Sequence, residues 1–136
     1  KDVKVGDIVV LDDKQQIPAD CVVLQVTNET GTDEDYLDGQ LDGERNLKPK
    51  LPIKKAQQQI EQYFSEKVDI TINCELPNPN LYHFDGSLII SDHSTNSSHS
   101  YNLGLSNFIP RGAIVMNCKM LAIVVYTGKD SKIILN

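Results

Sequence analysis

Cysteine is scarce. Cys21, Cys74 and Cys118 are the only three in 136 residues, far apart and odd in number. No Cys-x-x-Cys or His-x-x-x-His pair occurs, which excludes a zinc site built on local spacing. The thiols read instead as small buried hydrophobes of a reducing compartment, not as a disulfide framework. Basic charge is also short. Thirteen Lys and Arg stand against 19 Asp and Glu, a formal net charge of -6. With no basic stripe to offset phosphate repulsion, nucleic acid is not an expected partner. Long apolar runs are missing as well: the longest, Met120 to Tyr126, has seven residues, where a membrane helix needs about 20. No signal-peptide or transit-peptide pattern precedes the first strand-like run. The chain opens and closes directly on strand-like runs, the last being Lys132-Ile133-Ile134-Leu135, and so reads as a segment of a longer polypeptide. No internal repeat is visible.

What is present fits one domain over residues 1–136, at 15.2 kDa with 40% hydrophobic and 24% charged residues, a balance foreign to disordered chains. Period-two patterning dominates. Val68, Ile70, Ile72, Cys74 and Leu76 alternate with polar residues, as in a half-buried strand. The denser runs Ile8 to Leu11, Cys21 to Val26 and Met120 to Tyr126 suit strands covered on both faces. Tyr82, Phe84 and Leu88 to Ile90 flank Asp85-Gly86, a turn or bulge signal, and Ile114 to Met116 is a further short strand. One stretch has helical period: after Pro52, the residues Ile53, Ala56, Ile60 and Phe64 share a face. About seven to nine strands of ordinary length and one helix imply a mainly-β sandwich, jelly roll or barrel. Ser91 to Asn102 holds five serines and no aliphatic residue, and is expected to be a disordered insertion loop.

Chemistry is best sought between Glu29 and Glu44, which hold seven acids and three glycines. Counting Asp33 as position one of a calcium loop puts Asp35 at three and Glu44 at twelve. Leu37 then falls at five and glycine at seven, so the ligand pattern fails. His83, His93 and His99 read as solvent-exposed, with nothing to orient the last two, and the neighbours Asp92, His93 and Ser94 do not form a triad. Asn28-Glu29-Thr30 and Asn96-Ser97-Ser98 fit the glycosylation pattern, which is short enough to arise by chance. Asp42-Gly43-Glu44-Arg45 is by itself a turn, with Gly43 free to take a positive φ and project the flanking carboxylates.

Taken in order, several stretches resemble the actuator domain of a P-type ATPase of the phospholipid-flippase class. These are Val5-Gly6-Asp7-Ile8-Val9 with Ile17-Pro18-Ala19-Asp20, then Leu41-Asp42-Gly43-Glu44 with Asn46-Leu47-Lys48. Glu75, Pro77-Asn78 and Leu81 to Gly86 follow, then Arg111-Gly112, Asn117, Val125 to Asp130 and Lys132 to Asn136. The resemblance implies a distorted jelly-roll domain on the cytosolic face of a membrane, within an integral membrane protein. It implies that Glu44 is the catalytic loop glutamate that promotes hydrolysis of an aspartyl phosphate carried by another domain, with Asp42 and Gly43 shaping the turn. A carboxylate on such a turn orients and deprotonates water. Implied partners are the phosphorylation and nucleotide-binding domains and membrane helices of the same chain, an accessory subunit and a phospholipid substrate. Mg2+ and ATP are implied for the full-length protein and no cofactor for this segment, which lacks the Asp-Lys-Thr-Gly-Thr motif and should hydrolyse nothing alone.

Arg45 departs from the family, which usually has threonine there. A guanidinium contacts phosphate oxygens in a bidentate manner or neutralises Glu44. The alternative reading is a degenerate pump-like regulatory module, for example one fused to a nucleotide cyclase.

Overall fold

The computed structural model describes residues 2–28, 39–42 and 47–136; for residues 28, 39–42 and 47–49 the backbone alone is described. Ten strands occur among the described residues. β1 (Ile8–Leu11), β2 (Asp20–Asn28), β8 (Phe108–Ile109) and β10 (Cys118–Tyr126) form an antiparallel sheet in the order β1-β10-β2-β8. β3 (Gly39–Asp42), β4 (Leu47–Lys50) and β9 (Val115–Met116) form a second sheet, ordered β4-β3-β9. The third sheet is the meander β5 (Val68–Cys74), β6 (Gly86–Asp92) and β7 (Ser97–Leu103).

The two central strands of the first sheet, β2 and β10, are covered on both faces, as their dense apolar runs require; β1, at the edge, is not, and Val10 is 56% exposed. In β2, Cys21 and Val23 enter one core while Val22 and Leu24 enter the other. In β10 the even residues Cys118 to Val124 join the first core, and Ile123 and Val125 join the second. Register shifts between Leu121 and Ala122 and between Val124 and Tyr126 break that alternation. They return Val26 to the first core and put Tyr126 in the second, the re-aiming that bulges produce. The second core lies between this sheet and the third, closed by Ala56, which ends the 3-10 turn Lys54–Ala56, and by Ile60 of the following α1 (Gln57–Glu61). The mainly-β expectation therefore holds, as an antiparallel sandwich.

Four local expectations are corrected. Ser91 to Asn102 is not an insertion loop: it pairs residue by residue from Asp92↔Ser97 to Gly86↔Leu103. Its period-two residues are simply not aliphatic. Tyr101 Oη donates to Gln59 Oε1 at 2.6 Å, and His99 Nδ1 lies 3.1 Å from Gln59 Nε2, so one face of β7 docks on α1 while the serines face outward. Phe64 is 62% exposed, because the helix tightens to a 3-10 turn over Gln62–Ser65 and about 120° per residue rotates it off the Ile60 face. The alternation from Val68 stops at Cys74, leaving Leu76 83% exposed. The final run is a single helical turn, α2 (Lys132–Leu135), not a strand, with its lysine buried and its three aliphatic residues exposed.

Gly86 does not make a turn. It opens β6 opposite Cys74, and a Cβ there would sit 2.7 Å from the Asn73 carbonyl oxygen and 2.9 Å from Cys74 Cβ. Gly86→Ala should therefore destabilise the chain by about 1–3 kcal/mol, the usual cost of overpacking. Gly104→Ala, whose Cβ meets nothing within 4 Å, should stay within about 0.5 kcal/mol. Urea titration of both variants checks this, and equal effects would contradict the close approach.

Candidate functional site

β3 and β4 make an antiparallel hairpin whose last described pair is Asp42↔Leu47. Residues 43–46 are its connection, a common loop length for hairpins. Gly43, Glu44 and Arg45 lie outside the described residues, as does the side chain of Asp42. So do Asp33 and Asp35, invoked in the calcium count, and the rest of 29–38.

The hairpin is held from two sides. On one, β3 pairs with β9 through Gln40↔Met116 and Leu41↔Val115. Val115 is fully buried in the first core, and its backbone bonds the Lys14 and Gln15 backbone at 2.7 and 3.0 Å. Asn117, at φ 64°, then turns the chain into β10, its N–H donating to Asp13 Oδ1 at 2.6 Å. Asparagine tolerates that left-handed conformation better than most residues. On the other side, the base of β4 docks on the 3-10 turn Leu105–Asn107. Leu51 N–H donates to Ser106 O at 2.9 Å, and the Asn107 amide nitrogen donates to Leu51 O at 2.7 Å. The buried Lys50 ammonium donates to Leu105 O at 3.0 Å.

A buried polar cluster at the end of the sandwich has no counterpart in the residue-by-residue reading. Lys132 is 0% exposed; its Nζ donates to Glu75 Oε2 at 2.7 Å and Asn78 Oδ1 at 2.8 Å. The ammonium also stands 5.7 Å from the Phe108 ring centre and 5.9 Å from that of Tyr126. Tyr126 Oη donates to the Glu75 carbonyl at 2.6 Å. Asp20, also fully buried, accepts the backbone N–H groups of Arg111 at 2.8 Å and Lys132 at 2.7 Å. Burial pushes the Asp20 carboxyl above its ordinary range, against the pull of those two N–H groups. Burial acts the same way on Glu75, but the bonds from Lys132 and Asn78 outweigh it and hold that carboxyl below 4.5. Asp20, Glu75, Asn78 and Lys132 all fall within the stretches quoted for the resemblance. A lysine opening an apolar run was the one local signal of burial.

The histidines are exposed but oriented. His93 Nε2 lies 2.8 Å from Asp69 Oδ2, and His83 Nδ1 3.0 Å from Glu75 Oε1. None of the three cysteines is in a disulfide; Cys21 and Cys118 are buried and Cys74 is half-buried. Burial raises the Cys21 thiol to about 12, which removes it as a nucleophile. Among the described residues no three His, Cys, Asp or Glu are grouped as metal ligands, and no helix is long and apolar enough to cross a membrane.

The sequence matches the family model described as the P-type ATPase actuator domain over residues 1–134. It is 33% identical over its whole length to phospholipid-transporting ATPase dnf2 of Schizosaccharomyces pombe, of which it covers 10%. It is 36% identical, again over its whole length, to human phospholipid-transporting ATPase VD, covering 9% of that protein. It is also 31% identical over 99% of its length to guanylate cyclase alpha of Plasmodium falciparum, covering 3% of it. The chain thus spans a tenth or less of these relatives.

The Lys132–Glu75 pair generates a pH test. Because the Glu75 carboxyl is held below 4.5, its stabilisation is complete above that value and is lost as pH falls through the lower folded value. Asp20, shifted upward, acts in the opposite sense, so the pair must be read as a difference between variants. Glu75→Gln should cost about 3 kcal/mol at pH 7, as when one partner of a buried ion pair is removed. That penalty should shrink as pH falls below 4.5 in chemical denaturation. A pH-independent penalty would exclude the charge as its origin.

Proposed function

The chain belongs to the P-type ATPase actuator-domain family, and we propose that it is the actuator of a phospholipid-translocating pump, with Glu44 as the residue that promotes dephosphorylation. The observation carrying this reading is the Asp42↔Leu47 pair. It makes Gly43-Glu44-Arg45-Asn46 the connection of a hairpin held at both flanks, the kind of element that reaches into another domain's site. Water attacks the phosphorus of an aspartyl phosphate on the phosphorylation domain, its proton passes to Glu44, and the aspartate carboxylate leaves with release of inorganic phosphate. Asp42 and Gly43 shape the turn. Arg45, next to Glu44 in the sequence, is assigned the phosphate oxygens as partners of its guanidinium. ATP and Mg2+ are assigned to the nucleotide-binding and phosphorylation domains of the full-length protein, which also supplies the membrane helices, the lipid path and any contact with an accessory subunit. The chain then works on the cytosolic face and has no ATPase activity alone.

The guanylate cyclase relative supports a second reading, a pump-like module kept for regulation in a protein of another activity.

In the full-length protein, Glu44→Gln keeps the volume and removes the charge. Phosphoenzyme should still form from ATP and Mg2+ and decay about 10²–10⁴-fold more slowly, the range for a positioned general base. Arg45→Thr should slow decay if the guanidinium holds phosphate and speed it if the guanidinium neutralises Glu44. The measurement is a chase of hydroxylamine-sensitive labelled phosphate. Unchanged decay in Glu44→Gln removes Glu44 from the mechanism, and a wild-type protein that forms no phosphoenzyme supports the regulatory module.

A further inference from the structure

We propose that Asn107 is a positioning residue for dephosphorylation, setting the seat of the hairpin that carries Glu44; the inference rests on the role proposed above for that glutamate. Among the described residues, β4 is the outer strand of its sheet and has β3 as its one strand neighbour. Besides the β3–β9 pairing on the far side of the hairpin, what refers β4 to the rest of the domain lies where it ends, at Lys50 and Leu51. Asn107 meets it there. Its side chain is 6% exposed and performs two separate tasks. Oδ1 accepts the Gly104 N–H at 2.9 Å, which together with Asn107 N–H donating to Gly104 O at 3.0 Å closes the 3-10 turn. The amide nitrogen donates to Leu51 O at 2.7 Å. The turn is complete without that second bond, so its use is to fix the base of β4.

Asn107 is itself immobilised. The next two residues are β8, paired with β2 through Val22↔Phe108 and Cys21↔Ile109, and both are fully buried. The amide thus refers the hairpin to a strand that is fully buried and paired with β2. A carboxylate that must meet an attacking water in another domain depends on such a reference, since a misplacement of about 1 Å costs on the order of 10²-fold in rate.

Asn107→Asp separates the two tasks: it keeps the acceptor for Gly104 and loses the donor to Leu51 O. In the full-length protein, Asn107→Asp should form phosphoenzyme from ATP and Mg2+ to the wild-type level and dephosphorylate about 10-fold more slowly, short of the limit for misplacement. Asn107→Ala should slow it at least as much. Combined with Glu44→Gln, Asn107→Asp should slow decay no further, because the position of an absent base no longer matters. Wild-type decay in Asn107→Asp beside slow decay in Glu44→Gln overturns this inference alone. So does a double variant in which the two effects multiply, or loss of phosphoenzyme formation in Asn107→Asp, which marks a purely structural role. Unchanged decay in Glu44→Gln overturns the underlying role and this inference with it.

Discussion

A lysine ammonium withdrawn from water is costly unless hydrogen bonds and opposite charge replace the hydration it loses. Lys132 imposes that requirement on this fold. Its replacements come from three distant parts of the chain: Glu75 and Asn78 after β5, Phe108 in β8, and Tyr126 at the end of β10. The backbone of the same lysine is pinned by Asp20 at the start of β2. One buried cation therefore dictates where four strands begin or end. The aromatic floor beneath it is continuous, with Phe84 stacked on Phe108 at 4.8 Å and Tyr126 edge-on to Phe84 at 6.4 Å. Ring faces carry negative potential, so these groups both fill the core and stabilise the charge.

The neighbouring Ser131 shows how strictly that end is packed. It is fully buried, and its hydroxyl has no hydrogen-bond partner among the described residues. Orphaned hydroxyls of this kind are rare because each forfeits its hydration. Here the backbone N–H of the next residue must reach Asp20 at 2.7 Å, and that bond holds the start of α2 where the serine side chain finds no acceptor.

Much of this was legible in the residues. Alternation along β5 and the dense apolar runs of β1, β2 and β10 identify the strands, and for β2 and β10 they say that both faces are covered; the same density in β1 misled, since Val10 is exposed at the sheet edge. The bulges could not be read, because parity switches such as Val23 to Val26 depend on the partner strand's register. β7 was hidden for a different reason: Ser98, Ser100 and Asn102 carry no hydrophobic signal, and the docking face is built from His99 and Tyr101, which bond to Gln59. Lys132-Ile133-Ile134-Leu135 misled in the opposite direction, since local apolar density favours a strand and only the distant acceptors Glu75 and Asn78 make the lysine the buried member. Gly43, Glu44 and Arg45 lie outside the described residues. What holds the β3–β4 hairpin at its base could not be read, because Asn107 lies more than sixty residues from Asp42 and looks like any polar residue before a strand.

Asn107, Phe108, Ile109 and Arg111 are nearly consecutive, and each serves a different part of the molecule. Asn107 bonds the base of the hairpin, Phe108 lies under the Lys132 ammonium, Ile109 fills the first core, and the Arg111 N–H reaches Asp20. Strand pairing of β8 with β2 forces alternate side chains to opposite faces. That geometry lets Phe108 and Ile109 reach different cores while the flanking residues face the two polar anchors. A shift of one residue in that register would exchange the cores and detach both anchors together. The buried charge at one end of the sandwich and the seat of the hairpin thus share a single short strand. The energy that fixes Lys132 also fixes the frame from which the hairpin is presented.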